Sequence, residues 1–311
     1  MLHSFVTQFW ASTIDGLTVG SIYALIALGY TLVYGVLRLI NFAHSEIFMI
    51  GTFAALFTLH GLASGIQTGI MLVVVFVAGL FAAMAASGGA AVVLELVAYR
   101  PLRKRNASRL AALISAIGAS LFLQELFALI FGRDQLSVVR ILPKKSLVNI
   151  GSGEIRTDKI VVFCAALLML FLLDRFVNGT RLGRGIRATA QDPDTAVLMG
   201  VNIDRVVMAT FLAGGIMAGA AAMLYDVYYE LTVYNVGFIL GVKAFTAAVL
   251  GGIGNLRGAL LGGLALGLIE NYGASVLGSE WRDVFAFLVL VLILMFRPTG
   301  LLGEALMRAR A

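Results

Sequence analysis

Residues 16–37 read GLTVGSIYALIALGYTLVYGVL, 22 consecutive positions without a charged side chain. An α-helix of about 20 apolar residues crosses the hydrocarbon core of a bilayer, so this stretch predicts a membrane-spanning helix. The next charge-free run, residues 47–94, is 48 positions long and has room for two spans. These runs decide the class of fold, because a water-soluble domain of this size has no core that could bury them.

The overall composition supports the same conclusion. Apolar residue types make up 60% of the 311 residues and charged types 13%, with a mean hydropathy of +0.96. A soluble domain is closer to about 25% charged. The values exclude a soluble enzyme, a disordered chain and a disulfide-stapled secreted domain, and the single Cys164 has no partner for an intrachain disulfide. We therefore predict an all-α, polytopic transmembrane helical bundle, a single domain over residues 1–311 in the lipid bilayer.

Further apolar runs follow along the chain, each with few or no charges inside. They cover residues 110–132 (interrupted only by Glu125), 160–173, 206–225, 231–242, 244–256, 258–269 and 284–296. We expect eight or nine crossings in total. The glycine-rich stretch 237–269 is compatible with two full spans or with a re-entrant pair.

Short basic loops predict which side each end of a span faces. Residues 99–109 carry five Arg or Lys, residues 175–187 carry four, and the tail after Phe296 carries Arg297, Arg308 and Arg310. Positively charged short loops stay in the cytoplasm, so the net charge of +6 is attributed to membrane orientation and not to nucleic-acid binding. Residues 133–159 then lie outside, despite six basic residues, and a Gly-Ser-Gly turn predicts a small hairpin there. On a nine-span count the amino terminus is also outside.

Several glycine pairs are spaced four residues apart within the apolar runs. They are Gly16 and Gly20, Gly215 and Gly219, Gly237 and Gly241, Gly258 and Gly262, and Gly263 and Gly267. Small residues at this spacing let helix backbones approach closely in lipid. We expect them to pack helices within one chain more often than to form a dimer interface.

The cytoplasmic segment 187–205, RATAQDPDTAVLMGVNIDR, carries a complete set of helix boundary signals. Asp192 is a favourable N-cap, and Pro193 suits the first helical position. Asp194 complements the helix dipole, and Gly200 is a natural stop. A helix of about two turns is too short to be stable alone, so it must dock through Ala196, Val197 and Met199. Either it is a connector packed on its own bundle, or it is a coupling helix that a cytoplasmic ATPase moves.

A second polar segment, LINFAHSEIFM at residues 39–49, places Asn41, His44 and Glu46 between two apolar runs. If the segment is helical, Asn41 and His44 share a face and Glu46 points elsewhere. Polar groups at a break in a span usually face a cavity or one another, which favours a discontinuous span beside a substrate pathway. The alternative is an interface cap, with Asn41 or Ser45 as the N-cap of the next helix.

Motifs for self-contained chemistry are missing from the sequence. No lysine follows a GxxxxG phosphate loop, and there is no GxSxG, HExxH or paired-cysteine metal site. Tyr225 and Asp226 resemble half of an intramembrane aspartyl protease, but a second GxGD motif is absent. We therefore expect a transport protein without an ATPase site of its own. An ion-gradient-driven secondary transporter remains the alternative from another functional class.

Five ordered motifs resemble those of branched-chain amino acid ABC transporter permeases. INFAHSEIFMIG at 40–51 is similar to the INFAHGE signature of that family, with Ser45 where the family usually has glycine. The other four are AYRPLR at 98–103, LISAIGASLFLQ at 113–124, GGIGNLRGALLGGLALGLIE at 251–270 and the coupling loop at 187–205. The similarity extends over about residues 16–303 and is strongest to the first permease of the leucine/isoleucine/valine system.

The resemblance implies uptake of branched-chain amino acids across a bacterial or archaeal cytoplasmic (inner) membrane. Permeases for urea, amides or another small amino acid belong to the same wider family and stay as alternatives. The implied partners are a second homologous permease, two ATPase subunits that bind ATP and Mg²⁺, and an extracytoplasmic substrate-binding protein; this chain itself is expected to hold no cofactor and no metal. The implied pathway or gate residues are Asn41, His44, Ser45 and Glu46. The implied ATPase-coupling residues are Arg187, Asp192, Pro193, Asp194, Ala196, Met199 and Gly200.

Overall fold

Over residues 2–297 and 299–303, which the computed structural model describes, the chain forms twelve α-helices and four short strands. The helices are α1 (Leu2–Leu37), α2 (His44–Leu62), α3 (Gly69–Leu94), α4 (Arg100–Lys104), α5 (Arg109–Phe131), α6 (Thr157–Gly179), α7 (Arg181–Gln191), α8 (Pro193–Leu198), α9 (Ile203–Tyr229), α10 (Val236–Gly251), α11 (Leu256–Leu277) and α12 (Arg282–Phe296). The strands are β1 (Leu136–Ser137), β2 (Ser146–Ile150), β3 (Gly153–Arg156) and β4 (Leu231–Thr232). A π-helical turn, Glu95–Tyr99, joins α3 to α4, so that they form one long rod.

Within the described part of the chain, seven helices are long and apolar enough to cross a membrane. A shorter apolar helix, α10, has 16 residues, which at 1.5 Å per residue is about 24 Å, less than the roughly 30 Å hydrocarbon core. The total is close to the eight or nine crossings expected. The glycine-rich stretch is one short helix followed by one full-length helix, α11.

Helix α1 lies at the centre of the bundle, packed against α6, α9, α10 and α11. It is almost entirely buried, whereas α3, α5 and α6 are buried only on a narrow stripe. The exposed faces of those three helices carry large apolar side chains such as Phe81, Phe122 and Phe171. Such faces suit lipid or another membrane-embedded chain.

The packing of α1 on α11 joins two of the GxxxG pairs face to face. A Cβ added at Gly20 would lie 2.8 Å from the Gly263 carbonyl oxygen, and one at Gly16 would lie 3.0 Å from the Gly267 carbonyl oxygen. Both helix backbones therefore approach to contact distance. The expectation that these pairs pack helices within one chain is confirmed.

The outer loop after α5 forms the expected hairpin, with β2 and β3 paired antiparallel. It precedes α6, whereas α7 and α8 follow α6, and the 23 residues of α6 separate the two ends by about 35 Å. The hairpin and the short helix α8 therefore lie on opposite sides of the bundle. Arg308 and Arg310 of the basic tail lie outside the described residues.

Ion pairs offset most of the charge of the six basic residues between α5 and α6, which reconciles the predicted outer position of this loop with the usual charge bias. Five of the six contact an acid in the fold: Arg133 with Glu125, Arg140 and Lys144 with Glu230, Arg156 with Asp158, and Lys159 with Asp15. Partial burial acts to raise the pKa of Glu230, but hydrogen bonds from Arg140 and Lys144 hold it below its ordinary value. The loop therefore carries far less uncompensated charge than its sequence indicates.

Lys243, which divides two apolar runs in the sequence, lies inside α10 and does not interrupt it. Its ammonium group contacts Glu270 on α11 at 2.9 Å and Asp283 on α12 at 2.7 Å. Tyr23 on α1 donates to the other Glu270 oxygen at 2.8 Å. A buried charge without a partner is costly in lipid, so this network fixes α10 against three neighbouring helices.

Candidate translocation gate and coupling segment

The break between α1 and α2 leads the chain back into the bundle. Helix α1 ends at Leu37, Arg38 adopts a left-handed conformation with φ of 50°, and α2 begins only at His44. The His44 ring packs against Gly29, nine residues before Arg38 on α1, which is about 13 Å deeper at 1.5 Å per residue. The connection between α1 and α2 therefore re-enters the bundle, but each of these helices is continuous and neither is a discontinuous span.

The interface-cap interpretation holds only in part, because Glu46 lies in the first turn of α2 as an acid there should, but neither Asn41 nor Ser45 is the N-cap. The residue that precedes α2 is Ala43, and no side chain caps the helix. Asn41 precedes the helix and does not share a helical face with His44, because residues 41–43 are not helical. Ser45 lies inside α2, in a backbone conformation that does not require glycine. Its Cβ occupies the space that a Cβ at Gly241 would need.

Each polar residue of the segment contacts a different neighbour. The Asn41 Oδ1 atom accepts a hydrogen bond from the Tyr99 hydroxyl at 2.9 Å. The His44 ring packs edge-on against Tyr30, with 4.8 Å between ring centroids. The Glu46 Oε1 atom accepts from the Ser45 hydroxyl, from the Ser120 hydroxyl at 3.1 Å and from the Gln124 amide at 2.9 Å. Glu46 thus points away from His44, as predicted.

Three buried polar atoms of this segment have no hydrogen-bond partner: Asn41 Nδ2, His44 Nε2 and Glu46 Oε2. All three side chains are at most 2% exposed. Leaving a buried polar atom unpaired costs about 1–3 kcal/mol, and more for a charged group. Such a concentration of unpaired atoms within six residues is typical of a site whose partner arrives from outside.

Two cavities flank an aromatic cluster formed by Tyr30, Phe42 and Phe245. The ring centroids of Phe42 and Tyr30 lie 6.0 Å and 6.2 Å from that of Phe245. The larger cavity, about 210 Å³, is lined by Tyr30, Phe42, Ser45, Ile117, Ser120, Leu121, Phe238 and Val242. The smaller, about 10 Å³, is lined by Tyr30, Tyr34, Ile40, Asn41, Phe245, Ala248 and Ile253. The aromatic cluster therefore lies between the two cavities and separates them.

Ser120, Gln124 and the aromatic cluster are not predicted as part of this region from the sequence. Ser120 and Gln124 are four residues apart in an apolar run, so they share one face of α5. That spacing of polar residues was the available signal. Nothing in the sequence indicated that Phe245 faces Phe42, because the pair joins α10 to the loop before α2.

The short helix α8 forms with the predicted boundaries, ending at Leu198. The Asp192 carboxylate caps it by accepting from the Thr195 hydroxyl and from the Asp194 N–H, and these bonds lower the pKa of Asp192. Pro193 occupies the first turn. Gly200 has a φ of 83° and donates to the Val197 carbonyl, which ends the helix.

The face that α8 presents outward differs partly from the prediction. Ala196 is 3% exposed, on a helix that packs against α7, so it is not available for direct docking. Leu198 and Met199 are 87% and 81% exposed, and the sequence analysis had not singled out Leu198. Arg187 donates to Val177 O and to Asn178 Oδ1, which fixes α7 to the end of α6.

A direct contact joins the coupling segment to the connection between α1 and α2. The Arg38 guanidinium donates to the carbonyl oxygens of Ala190 and Gln191, both at 3.2 Å. These carbonyls immediately precede the cap of α8, and Arg38 is three residues from Asn41. A displacement of α7 and α8 therefore acts on the segment that carries Asn41, His44 and Glu46.

Comparisons with known proteins point to one family. The model of the family described as branched-chain amino acid transport system / permease component matches residues 12–294. The branched-chain amino acid permease BraD of Pseudomonas aeruginosa strain PAO1 is 43% identical over 304 residues, 96% of this chain and 97% of BraD. LivH of Escherichia coli K12, a permease of the same kind, is 42% identical over 95% of this chain and 96% of LivH. A solved inward-facing ABC transporter of metal-chelate type shares the fold, with a TM-score of 0.51, 16% identity, and coverage of 93% of this chain and 88% of that one.

Proposed function

Since the chain belongs to the branched-chain amino acid transport system permease family, we propose that it conducts leucine, isoleucine and valine inward as the permease subunit of an ATP-driven importer. It is a multi-pass inner-membrane transport component with several apolar spanning helices. The family match over residues 12–294 carries this assignment. The roles of the site residues are inferred from the geometry, and the partners are inferred from the family.

Three kinds of partner complete the proposed importer. Two cytoplasmic ATPase subunits bind ATP and Mg²⁺ and supply the energy, since the sequence has no phosphate loop of its own. An extracytoplasmic binding protein delivers substrate to the face that carries the β2–β3 hairpin. A second homologous permease packs along the exposed apolar side of α5, so that the pathway runs between the two chains in the bilayer.

The proposed mechanism is alternating access. Closure of the ATPase dimer moves α8 through its exposed tip, and α7 transmits that movement to Arg38. The connection between α1 and α2 then shifts the gate residues Asn41, His44, Ser45 and Glu46 together with the aromatic cluster. Five residues maintain the fold of the coupling segment: Arg187, Asp192, Pro193, Asp194 and Gly200. The buried Ala196 anchors the segment, and the exposed Met199 contacts the ATPase.

The decisive experiment compares energy sources in proteoliposomes that contain the purified complex of permeases, ATPases and binding protein. We expect leucine uptake with ATP supplied to the ATPase side, and none by the purified chain alone under a proton or sodium gradient. Gradient-driven uptake by the chain alone would favour a secondary transporter. Competition by valine and isoleucine, but not by urea or small amides, separates the proposed substrates from those of related permeases.

Replacing Arg38 with alanine tests the link between coupling segment and gate. Arginine and alanine have the same backbone preferences at a φ of 50°, so only the contacts to Ala190 and Gln191 are lost. Both bonds come from one exposed nitrogen atom of the guanidinium, so together they contribute about 1–2 kcal/mol, and we expect leucine uptake per ATP hydrolysed to fall roughly tenfold. ATPase association should stay normal, and Arg184→Ala on the exposed face of α7 is the control. Unchanged uptake per ATP in the Arg38 variant would remove this link from the mechanism.

A further inference from the structure

The large cavity beside the gate combines an apolar wall with a nearby unpaired carboxylate oxygen. Five of its eight lining residues are Phe, Ile, Leu or Val, and the polar ones are Tyr30, Ser45 and Ser120. The hydroxyls of Ser45 and Ser120 both donate to Glu46 Oε1, at 3.1 Å each. The Glu46 carboxylate therefore does not line the cavity itself and is separated from it by the side chains of Ser45 and Ser120.

Resting on the proposed function, we propose that this cavity is a transient substrate subsite, in which the aliphatic side chain of an α-amino acid occupies the apolar part and its ammonium group pairs with Glu46 Oε2. The carboxylate has no cation in the described part of the chain, because no ion pair there includes Glu46. Its second oxygen is unpaired although the side chain is fully buried. A cationic ligand group is the partner that such an oxygen lacks.

Hydrogen-bond donors and a helix terminus lie next to the Glu46 carboxylate. The Ser120 hydroxyl and the Gln124 amide donate to Oε1. Helix α10 begins at Val236, and a Cβ at the next residue, Gly237, would lie 3.0 Å from Oε2. The positive end of a helix dipole next to this oxygen stabilises negative charge.

The contact between Gly237 and Glu46 Oε2 suggests a route by which the substrate ammonium group reaches this oxygen. Gly237 covers Oε2 with backbone alone, so a small displacement of the first turn of α10 uncovers the oxygen toward the cavity. That displacement accompanies gating in the proposed mechanism, because α10 also carries Phe245 of the aromatic cluster. Binding is therefore brief and weak, as release to the cytoplasm requires.

The cavity has the size of a branched aliphatic side chain. An apolar cavity of about 150 Å³ is large enough to bind benzene, with six carbons, and the leucine side chain has four. The volume here is about 210 Å³. Ile117, Leu121 and Phe238 at its rim are about half exposed, so a second permease chain completes the enclosure.

The first arm of the test removes the negative charge with Glu46→Gln in the assembled complex in proteoliposomes. Glutamine keeps an oxygen for Ser120 and Gln124 and places its amide nitrogen at the unpaired position. We expect the maximal leucine uptake rate to fall at least about tenfold, the loss that follows from one charge-assisted pair, while the half-saturating concentration set by the binding protein stays constant. Glu125→Gln, one residue beyond Gln124 and exposed, is the matched control.

The second arm fills the cavity and measures selectivity. Ile117→Trp should lower leucine uptake relative to valine uptake severalfold, because valine needs less room. Ile70→Trp on α3, where the side chain is 83% exposed, should leave the ratio unchanged. If the wild-type complex takes up no leucine, the proposed function fails. If it does, normal uptake by Glu46→Gln, or an unchanged leucine-to-valine ratio in Ile117→Trp, overturns the subsite and leaves the cavity to lipid or to the second permease. Where Glu46→Gln does not assemble, the ratio alone decides.

Discussion

Replacing Gly263 with leucine is expected to abolish folding of the bundle. A Cβ at this position would lie 2.5 Å from both the Cα and the backbone nitrogen of Ala24 on α1. No rotamer change relieves a clash with backbone, so α11 must move away from the buried central helix. Overpacking typically costs about 1–3 kcal/mol and sometimes more, and here it also opens the contacts of Gly16 and Gly20 with α11. We expect a loss beyond about 3 kcal/mol, measured as the absence of a monodisperse, thermally stable species in detergent.

A matched glycine separates this clash from a general effect of leucine in a membrane helix. Gly89 lies in α3 with no atom within 4 Å of an added Cβ. Leucine there should be neutral or slightly stabilising, since glycine weakens a helix interior by about 0.5–1 kcal/mol relative to alanine. Equal stability of the two variants would show that α1 and α11 do not depend on close approach. Gly263→Ala should be intermediate, because alanine has the clashing Cβ and nothing beyond it.

Much of the fold could be predicted from local sequence because a bilayer constrains it so strongly. A run such as residues 16–37 has one stable form in lipid, a helix with every backbone group paired. The cap and stop of α8 were predictable for the same reason, since Asp192, Pro193 and Gly200 act on their own neighbours. The spacing of Gly16 and Gly20 predicted close packing but not the partner helix, which is 240 residues away in the chain.

The candidate site was only half predictable, because its function depends on contacts between distant segments. Asn41, His44 and Glu46 stand out in an apolar context and were identified as pathway candidates. The cavity beside them needs Ser120 from α5 and Phe238 from α10, and the sequence contains no signal for that juxtaposition. Burial likewise had to be observed: Ala196 and Leu198 are two residues apart on one short helix, yet one is 3% and the other 87% exposed.

The tip of α8 is where the largest loss of function is expected. Leu198 and Met199 expose 87% and 81% of their surface. Burying an apolar side chain of this size stabilises a protein or complex by about 1.5–3 kcal/mol relative to leaving it exposed to water. In the proposed importer both become buried in a cleft of the ATPase. Replacing both with aspartate places two carboxylates in that cleft, and truncation of central interface residues already costs 2 kcal/mol or more each. We expect ATPase affinity to fall at least about a hundredfold and leucine uptake to be lost with it.

The control for this variant lies on the opposite side of the bundle. Leu147 and Val148 on β2 are also adjacent and are 56% and 53% exposed, so the same double change to aspartate is matched in chemistry. Co-purification of the ATPase with each variant in detergent measures the difference directly, because only the α8 variant should lose it. Since both pairs are exposed, neither change should disturb the fold, and equal melting temperatures of the two variants verify this. Retention of the ATPase by the Leu198 and Met199 variant would show that the energy enters this chain elsewhere, and α8 would then be a connector held by Ala196 alone.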